Sequence, residues 1–156
     1  MLDKKQLQTI EEEVRGLIEK LEMSGEVKVE QTEDSGEPTI WVGVVVQEPK
    51  LLIGEKGQTL FELQHIVKLM LRKKIAEPFY LSLDINEYKK NKEEYLRDIA
   101  QTTADEVVLF KKPKELPPMS GAERRIIHVA LASREDVVSE SIGEGQDRRV
   151  VIRLKT

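Results

Sequence analysis

The spacing of apolar residues most constrains the fold, because it switches repeatedly along the chain between a helical period and a strand period. Apolar residues recur every three or four positions from Leu7 to Leu21, which predicts an amphipathic helix ending near Gly25. Alternating apolar residues follow at 27–29 and 40–46, and turn-forming residues lie between them. We therefore expect a helix followed by a β-hairpin.

The next stretch repeats the switch from helix to strand. A short helical or loop segment at 51–53 leads into a glycine loop at 54–57, a long helix at 58–75 and a third strand at 79–85. The apolar face of the long helix comprises Leu60, Leu63, Ile66, Val67, Met70 and Leu71. One layer of helices on an antiparallel or mixed three-stranded sheet would bury these faces.

A second unit follows in the same manner. We expect a helix at 89–110, an edge strand at 116–119, a helix capped by Ser120 with Glu123, and two strands that begin near Val137 and Val150. The apolar faces of its two helices comprise Leu96, Ala100, Thr103, Val107 and Phe110 in the first, and Ala122, Ile126, Ile127, Ala130 and Leu131 in the second.

The amino-acid composition limits which metal, disulfide and catalytic sites the chain can contain. The chain has no Cys and two His, which excludes disulfides, thiolate zinc sites and cysteine nucleophiles and leaves little room for a His-based metal site. We therefore expect neither a metal nor a cofactor. Consecutive acids at 11–13 and 93–94 diverge around their helices, and motifs for phosphate hydrolysis or a serine nucleophile are absent. An enzyme is not predicted.

Charge is distributed unevenly. The formal net charge is −4, but residues 50–75 and 111–134 each sum to +4. A polyanionic ligand would meet these two basic segments. Since no apolar run approaches the roughly 20 residues of a membrane helix and no signal segment opens the chain, we expect a cytoplasmic protein without membrane insertion.

The glycine loop is the first candidate binding site. Gly54 and Gly57 remove side chains that would keep a nucleic-acid backbone away, and they permit unusual dihedral angles. Gly57 precedes a helix, whose free N–H groups and dipole favour a phosphate, and Lys56 adds a cation at the tip beside Glu55. The same pattern also suits a plain turn between two helices.

The second candidate is a basic pair on the helix after Ser120. Arg124 and His128 are four positions apart and share a face, with Arg125 nearby, and we expect all three to lie opposite the apolar residues. Arg binds phosphate bidentately or stacks on a base, and His donates a hydrogen bond or stacks. The alternative is an ordinary solvated helix surface.

The third candidate is the outer face of the long helix, which carries Phe61, His65, Lys68 and Arg72. An outward Phe among cations can stack on a base or fill a groove on a partner. The alternative is that Phe61 packs beneath a neighbouring segment.

These motifs resemble a known family. Residues 51–60 resemble the Gly-x-x-Gly segment of a KH domain, and the element order resembles the type II arrangement. Residues 120–128 are similar to the signature of the small nucleic-acid-binding domain named for an Arg and a His with three residues between them, here called the Arg-three-His domain. Residues 143–152 resemble the tail of the bacterial Jag family, also called KhpB or EloR and associated with SpoIIIJ, in which the two domains occur in tandem.

The resemblance implies an α/β (α+β) fold, with a type II KH domain at 1–86 and a small α/β Arg-three-His domain at 87–156. In the KH domain a helix layer covers a three-stranded sheet. Most members also carry an N-terminal Jag domain, which we expect this chain to lack because Met1 leads directly into the KH helix.

The resemblance also assigns roles to residues. Gly54, Lys56 and Gly57 would hold the phosphates, and Arg124 with His128 would take the role of the name-giving pair. The family usually has basic residues at both middle positions of the loop, whereas Glu55 is acidic, and this departure puts the strength of binding there in doubt. These four loop residues, the helix face with Phe61, Lys68 and Arg72, and the group Arg124, Arg125 and His128 form the expected binding sites.

The expected function is therefore non-catalytic binding of single-stranded RNA, with single-stranded DNA as a second possible ligand. The resemblance implies a post-transcriptional regulator or RNA chaperone linked to cell elongation and cell-wall synthesis, with the small single-KH protein KhpA or a second copy as partner. The alternative is a protein-interaction or dimerisation module with residual nucleic-acid binding, which Glu55 and the acidic balance favour.

Overall fold

The computed structural model describes residues 1–34 and 36–156 and divides them between two units, Met1–Lys89 and Lys90–Thr156. Both units combine helices with a three-stranded sheet, which confirms the predicted α+β fold class. None of the described helices combines the length and the apolar composition of a membrane span.

Unit 1 follows the element order predicted from the apolar spacing and implied by the KH resemblance. Its elements are α1 (Lys4–Lys20), β1 (Gly25–Asp34), β2 (Glu37–Val46), α2 (Pro49–Ile53), α3 (Gln58–Arg72) and β3 (Tyr80–Ile85). β1 and β2 form the predicted hairpin, although Ser35, at the predicted turn, lies outside the described residues.

The sheet of unit 1 is mixed, with β2 between β1 and β3. Val42 pairs with Val29 of the antiparallel β1 and with Leu83 of the parallel β3. A crossover through α2 and α3 separates β2 from β3, and such a crossover is what a parallel pair requires. Helices α1 and α3 bury their apolar stripes against this sheet through Ile10, Val14, Ile18, Leu60, Leu63, Val67 and Leu71.

Two apolar residues predicted to be buried in unit 1 are not. Leu21 is largely exposed, because α1 ends at Lys20 and Leu21 caps it. Ile66 is 50% exposed, because α3 buries only a narrow stripe spaced by three and four residues, and Ile66 lies at its border. Conversely, the alternation along β3 predicts an outward Asp84, but this residue is only 5% exposed, and its Oδ1 accepts hydrogen bonds from the N–H groups of Ile85 and Lys89.

Unit 2 contains most of α4 (Tyr88–Phe110), then β4 (Lys114–Glu115), α5 (Gly121–Leu131), β5 (Val137–Ile142) and β6 (Arg149–Leu154). Its sheet is antiparallel, with β6 between β4 and β5. The core forms where α4 and α5 bury Leu96, Ala100, Thr103, Ala104, Val107, Ile127 and Leu131 near Val150 and Ile152 of β6.

Three details of unit 2 differ from the prediction. The edge strand lies at Lys114–Glu115 rather than at 116–119, because two prolines at 117 and 118 lack the N–H groups that a ladder needs. Phe110 is 61% exposed, because it ends α4 just before the chain turns at Lys111. Ala122 is exposed in the first turn of α5, where the helix borders an open groove.

Candidate functional site

The glycine loop has the backbone that its two glycines permit. Gly54 has φ +72° and Gly57 has φ +81°, and between them Lys56 is also left-handed, with φ 52° and ψ 24°. The N–H of Gly54 donates to the carbonyl of Lys50 at 3.0 Å, which ends α2. Glu55 and Lys56 are exposed at the tip of the resulting turn.

The loop packs closely against neighbouring side chains. A Cβ at Gly54 would lie 2.7 Å from the Cβ of Thr59, and a Cβ at Gly57 would lie 2.9 Å from Cε1 of Tyr88. Both distances are shorter than van der Waals contact allows. The glycines are therefore required by the packing of the loop itself, whether or not a ligand binds there.

The N-terminus of α3 lies at this loop and carries no side-chain cap, since its N-cap residue is Gly57. Two other long helices differ: α1 has a capping box of Asp3 with Gln6, and α5 has one of Ser120 with Glu123, as predicted. The first N–H groups of a helix have no partner within it. At α3 the N–H of Gln58 donates to the carbonyl of Glu55 within the loop, so an anion would meet the N–H groups that follow Gln58, next to the exposed Lys56.

The outer face of α3 is exposed as predicted. Phe61 is 69% exposed, so the alternative that it packs beneath a neighbouring segment is wrong. Lys68 lies with its Nζ 6.0 Å from the centre of the Tyr80 ring, and Lys68, Arg72 and Tyr80 line a pocket of about 410 Å³. At ~1.5 Å per residue, Phe61 lies roughly 10 Å from Lys68 and 16 Å from Arg72 along the helix, so only the Phe is close to the loop.

A polar cluster that no sequence pattern predicts lies at the free edge of β3. The N–H of Leu83 donates to Oε1 of Gln64 at 2.9 Å, and the Nζ of Lys89 donates to the same oxygen at 2.8 Å and to Oγ of Ser82 at 3.3 Å. Burial lowers the pKa of Lys89, and the nearby Asp84 carboxylate partly opposes this. These residues are distant in sequence, and no spacing rule links them.

On α5 the structure corrects the predicted position of Arg124 and His128. Both are half-buried, whereas the sequence predicts a solvated face for them. His128 is bound on both ring nitrogens, with Nδ1 2.7 Å from Oγ of Ser139 and Nε2 2.9 Å from Oγ of Ser141. The reason is that His128 adjoins the buried Ile127 on the helix and therefore faces β5.

The environment of His128 disfavours its charged form. Burial lowers the pKa of His128, and the neighbouring Arg124 cation lowers it further. Both effects favour the neutral form of the imidazole.

Arg124 contains an unsatisfied donor. Its Nε is buried and has no hydrogen-bond partner. A Cβ at Gly121 would lie 3.3 Å from Nη2 of Arg124, so the side chain folds back along the first turn of α5. Arg125 does not join this group. It is exposed and lines an open groove of about 590 Å³ with Ile126, Val129 and the α4 pair Glu93 and Arg97.

The described residues offer donors for an anion but no cluster of metal-binding side chains. Among residues 1–34 and 36–156 there is no group of three or more His, Asp or Glu side chains that could hold a metal ion. What the structure offers is an uncapped helix end with a lysine at its tip in unit 1, and a half-buried arginine with an open donor in unit 2.

Comparison with known proteins identifies the family. The family model of the Arg-three-His domain matches residues 94–154. The RNA-binding protein KhpB of Bacillus subtilis (strain 168) is 31% identical over 151 residues, covering 96% of this chain and 67% of that protein. The KhpB of Clostridium symbiosum is 36% identical over 135 residues, covering 86% of this chain and 60% of that protein.

A more distant relative, the KhpB of Streptococcus pneumoniae serotype 2, is 27% identical over 146 residues and extends well beyond the match, which covers 44% of its length. The chain thus spans about two thirds or less of the relatives it matches. From the similarity over nearly all of its own length, together with the Arg-three-His match in unit 2, we conclude that the chain belongs to the KhpB (Jag) family.

Proposed function

We propose that this protein binds single-stranded RNA without catalysing a reaction, through a KH domain at 1–86 and an Arg-three-His domain at 87–156. The observation that carries the proposal is the exposed Lys56 in a left-handed turn at the uncapped N-terminus of α3. The name of the relatives, RNA-binding protein KhpB, supports the choice of ligand.

In the KH domain a phosphate would accept hydrogen bonds from N–H groups in the first turn of α3 beyond Gln58 and pair with Lys56. A single strand suits this arrangement, because its bases are free to turn away from the backbone and stack on exposed aromatic groups. Phe61, one turn into α3, is the nearest exposed aromatic residue of that helix. Lys68 and Arg72 would attract phosphates further along the strand.

In the Arg-three-His domain the guanidinium group of the half-buried Arg124 would bind a second phosphate. Because Nε of Arg124 is buried without a partner, it gains a hydrogen bond when the side chain turns towards a ligand, and this gain favours the movement. Because the guanidinium group is always charged and presents a planar set of donors, it is well suited to a phosphate.

The cellular role that we propose rests on family membership. We propose that the protein is a cytoplasmic post-transcriptional regulator or RNA chaperone that contributes to cell elongation and cell-wall synthesis. Single-stranded DNA is a second ligand to include in binding assays, since phosphate contacts and base stacking do not require a 2′-hydroxyl.

The test is a titration of the whole chain against fluorescein-labelled single-stranded RNA. Lys56→Asn removes the cation, and Asn tolerates the left-handed backbone at this position. Lys28→Asn is the matched control, because Lys28 is an exposed lysine on β1 that pairs with Glu30. We expect weaker RNA binding for Lys56→Asn and unchanged RNA binding for Lys28→Asn. Absence of binding by the parent protein would reject the proposal.

A second candidate function, a protein-interaction module, is favoured by a different surface of α3. Ile66 and Leu69 are about half exposed and, with Met70, line a groove of about 280 Å³ that also includes Glu13 of α1. A second copy or the small single-KH protein KhpA would be the partner there. Light scattering of the chain alone and mixed with purified KhpA tests this, with Ile66→Gln/Leu69→Gln as the variant that should remain monomeric.

A further inference from the structure

Both ring nitrogens of His128 are occupied within the protein. Nδ1 lies 2.7 Å from Oγ of Ser139, and Nε2 lies 2.9 Å from Oγ of Ser141. These two serines are alternate residues of β5, so their side chains project from the same face of the strand towards α5. The ring therefore spans two hydroxyl groups and ties the helix to the strand.

The hydrogen-bonding capacity of a neutral imidazole matches this pair of hydroxyls. One ring nitrogen carries a hydrogen and donates to one serine, while the other has a lone pair and accepts from the hydroxyl of the other serine. Once both bonds are made, no ring nitrogen is left to hydrogen-bond an RNA phosphate or base. A direct contact by His128 would require breaking one of these bonds.

The surroundings of the ring favour the neutral form that this pairing uses. On β6 the residues opposite Ser139 and Ser141 are Ile152 and Val150, which are buried and uncharged. The charged group that faces the ring is Arg124, one helical turn away on α5. Neither the apolar strand face nor the arginine stabilises an imidazolium.

Arg124 differs from His128 in this respect. Its Nε is buried without a partner, whereas His128 has all its polar side-chain atoms bonded. The two name-giving residues of the motif thus differ: Arg124 has a donor without a partner, and His128 has none.

We propose that His128 is a positioning residue, which holds α5 and therefore Arg124 in place against Ser139 and Ser141, and that Arg124 alone of the pair contacts RNA. This inference rests on the proposed function for its ligand. The structural part of the inference, that Ser139 and Ser141 hold the imidazole in place, is tested without RNA.

The structural half is tested by NMR on the free protein. Labelling of the imidazole with ¹⁵N should show a neutral His128, because either neutral tautomer satisfies both serine hydroxyls. Ser139→Ala/Ser141→Ala should raise the pKa of His128 towards that of an exposed histidine, because the ring would be released towards solvent. An unchanged pKa of His128 in the double variant would overturn the inference even if the parent protein binds no RNA.

The functional half uses the titration with fluorescein-labelled single-stranded RNA. The double serine variant keeps His128 but frees both ring nitrogens. If His128 only positions Arg124, affinity should fall roughly threefold to tenfold, the loss expected for one or two hydrogen bonds. If His128 contacts RNA itself, affinity should stay equal or increase, and the inference would be wrong.

A conservative variant separates positioning from contact in a second way. His128→Gln has a donor and an acceptor in a single amide group and can bridge the two serines, but it cannot become charged. We expect near-parent affinity for His128→Gln and weakened binding for His128→Ala. Equal losses for both would count against the inference. Thr102→Ala, which removes an exposed hydroxyl from α4, controls for the loss of a hydroxyl as such.

Discussion

Gly54 packs so closely against Thr59 that a Cβ at Gly54 would lie 2.7 Å from the Cβ of Thr59. Thr59 is the second residue of α3, so this approach sets how the loop enters the helix that it precedes. Gly54 also has a positive φ of +72°, which other residues rarely adopt. Substituting aspartate for the loop glycines would therefore disturb folding as well as any ligand, and the exposed residues Glu55 and Lys56 are the better positions for a binding test.

Gly54→Ala should destabilise unit 1. The methyl group clashes with Thr59, and the backbone is strained for alanine, so we expect a loss of about 1–3 kcal/mol in the free energy of unfolding. Urea unfolding followed by the fluorescence of Trp41, the sole tryptophan, reports on this unit. Gly16→Ala is the matched control: Gly16 lies in α1 with nothing within 4 Å of a Cβ, so stability should rise by up to about 1 kcal/mol. Equal stability of Gly54→Ala and the parent would contradict the loop geometry.

His128→Ala should destabilise unit 2, contrary to what a solvated helix face implies. The substitution leaves two half-buried serine hydroxyls without their partner, which costs about 1–3 kcal/mol. Arg125→Ala, on an exposed position of the same helix, should stay within about 0.5 kcal/mol of the parent. Chemical unfolding followed by NMR signals from β5 and β6 measures both, and the two variants should differ clearly.

Acidification should destabilise the parent more than His128→Gln. The folded-state pKa of His128 is lower than its ordinary value of 6.5, because burial and Arg124 disfavour the imidazolium. Between the folded-state pKa and 6.5 the unfolded chain binds more protons than the folded one. The free energy of unfolding is therefore full above pH 6.5 and falls as the pH drops through the folded-state pKa. Melting temperatures measured across this range should diverge as the pH falls. Parallel curves would mean that His128 titrates as an exposed group.

Phe61→Ala should weaken RNA binding without affecting the fold. The ring is mostly exposed, so its removal costs little stability, whereas loss of a stacked base costs about 1–3 kcal/mol of binding. Leu69→Ala, which also removes an exposed apolar side chain from α3, serves as the control in the same RNA titration. A similar affinity for both variants would show that no base stacks on Phe61.

The element order could be predicted because most helices and strands bury one face and leave the other in solvent, and apolar spacing records that directly, whereas the strand order within each sheet could not. The errors occur where burial depends on neighbouring elements. Ile66 lies at the border of a buried stripe, and whether it is covered depends on how far the sheet of unit 1 extends. His128 finds its partners 11 and 13 residues away, because α5 packs on β5. A helical wheel contains no information about either contact.

The candidate sites also contain some features that local sequence predicts and others that depend on how distant elements pack. The glycine loop could be found because its two glycines and its lysine are adjacent in sequence, and its backbone proved to need both glycines. The bond between Lys89 and Gln64 could not be found, because 25 residues separate them and only the return of β3 beside α3 brings them together. The separation of Arg125 from Arg124 likewise depends on the groove that α4 forms beside α5.

Glu55→Lys should tighten RNA binding. Glu55 is exposed at the tip of the loop beside Lys56, where its carboxylate repels a phosphate approaching the N-terminus of α3. Reversing its charge adds a phosphate contact, so the slope of log affinity against log salt concentration should steepen by roughly 0.7, the value for one contact to a single strand. Glu19→Lys, an exposed residue of α1, changes the net charge equally and controls for a general electrostatic effect. Titrations at several salt concentrations should separate the two variants. A gain in RNA affinity confined to Glu55→Lys places phosphate at the loop. Equal gains for both variants, or none, would mean that the RNA does not touch the loop and that binding rests on Arg124.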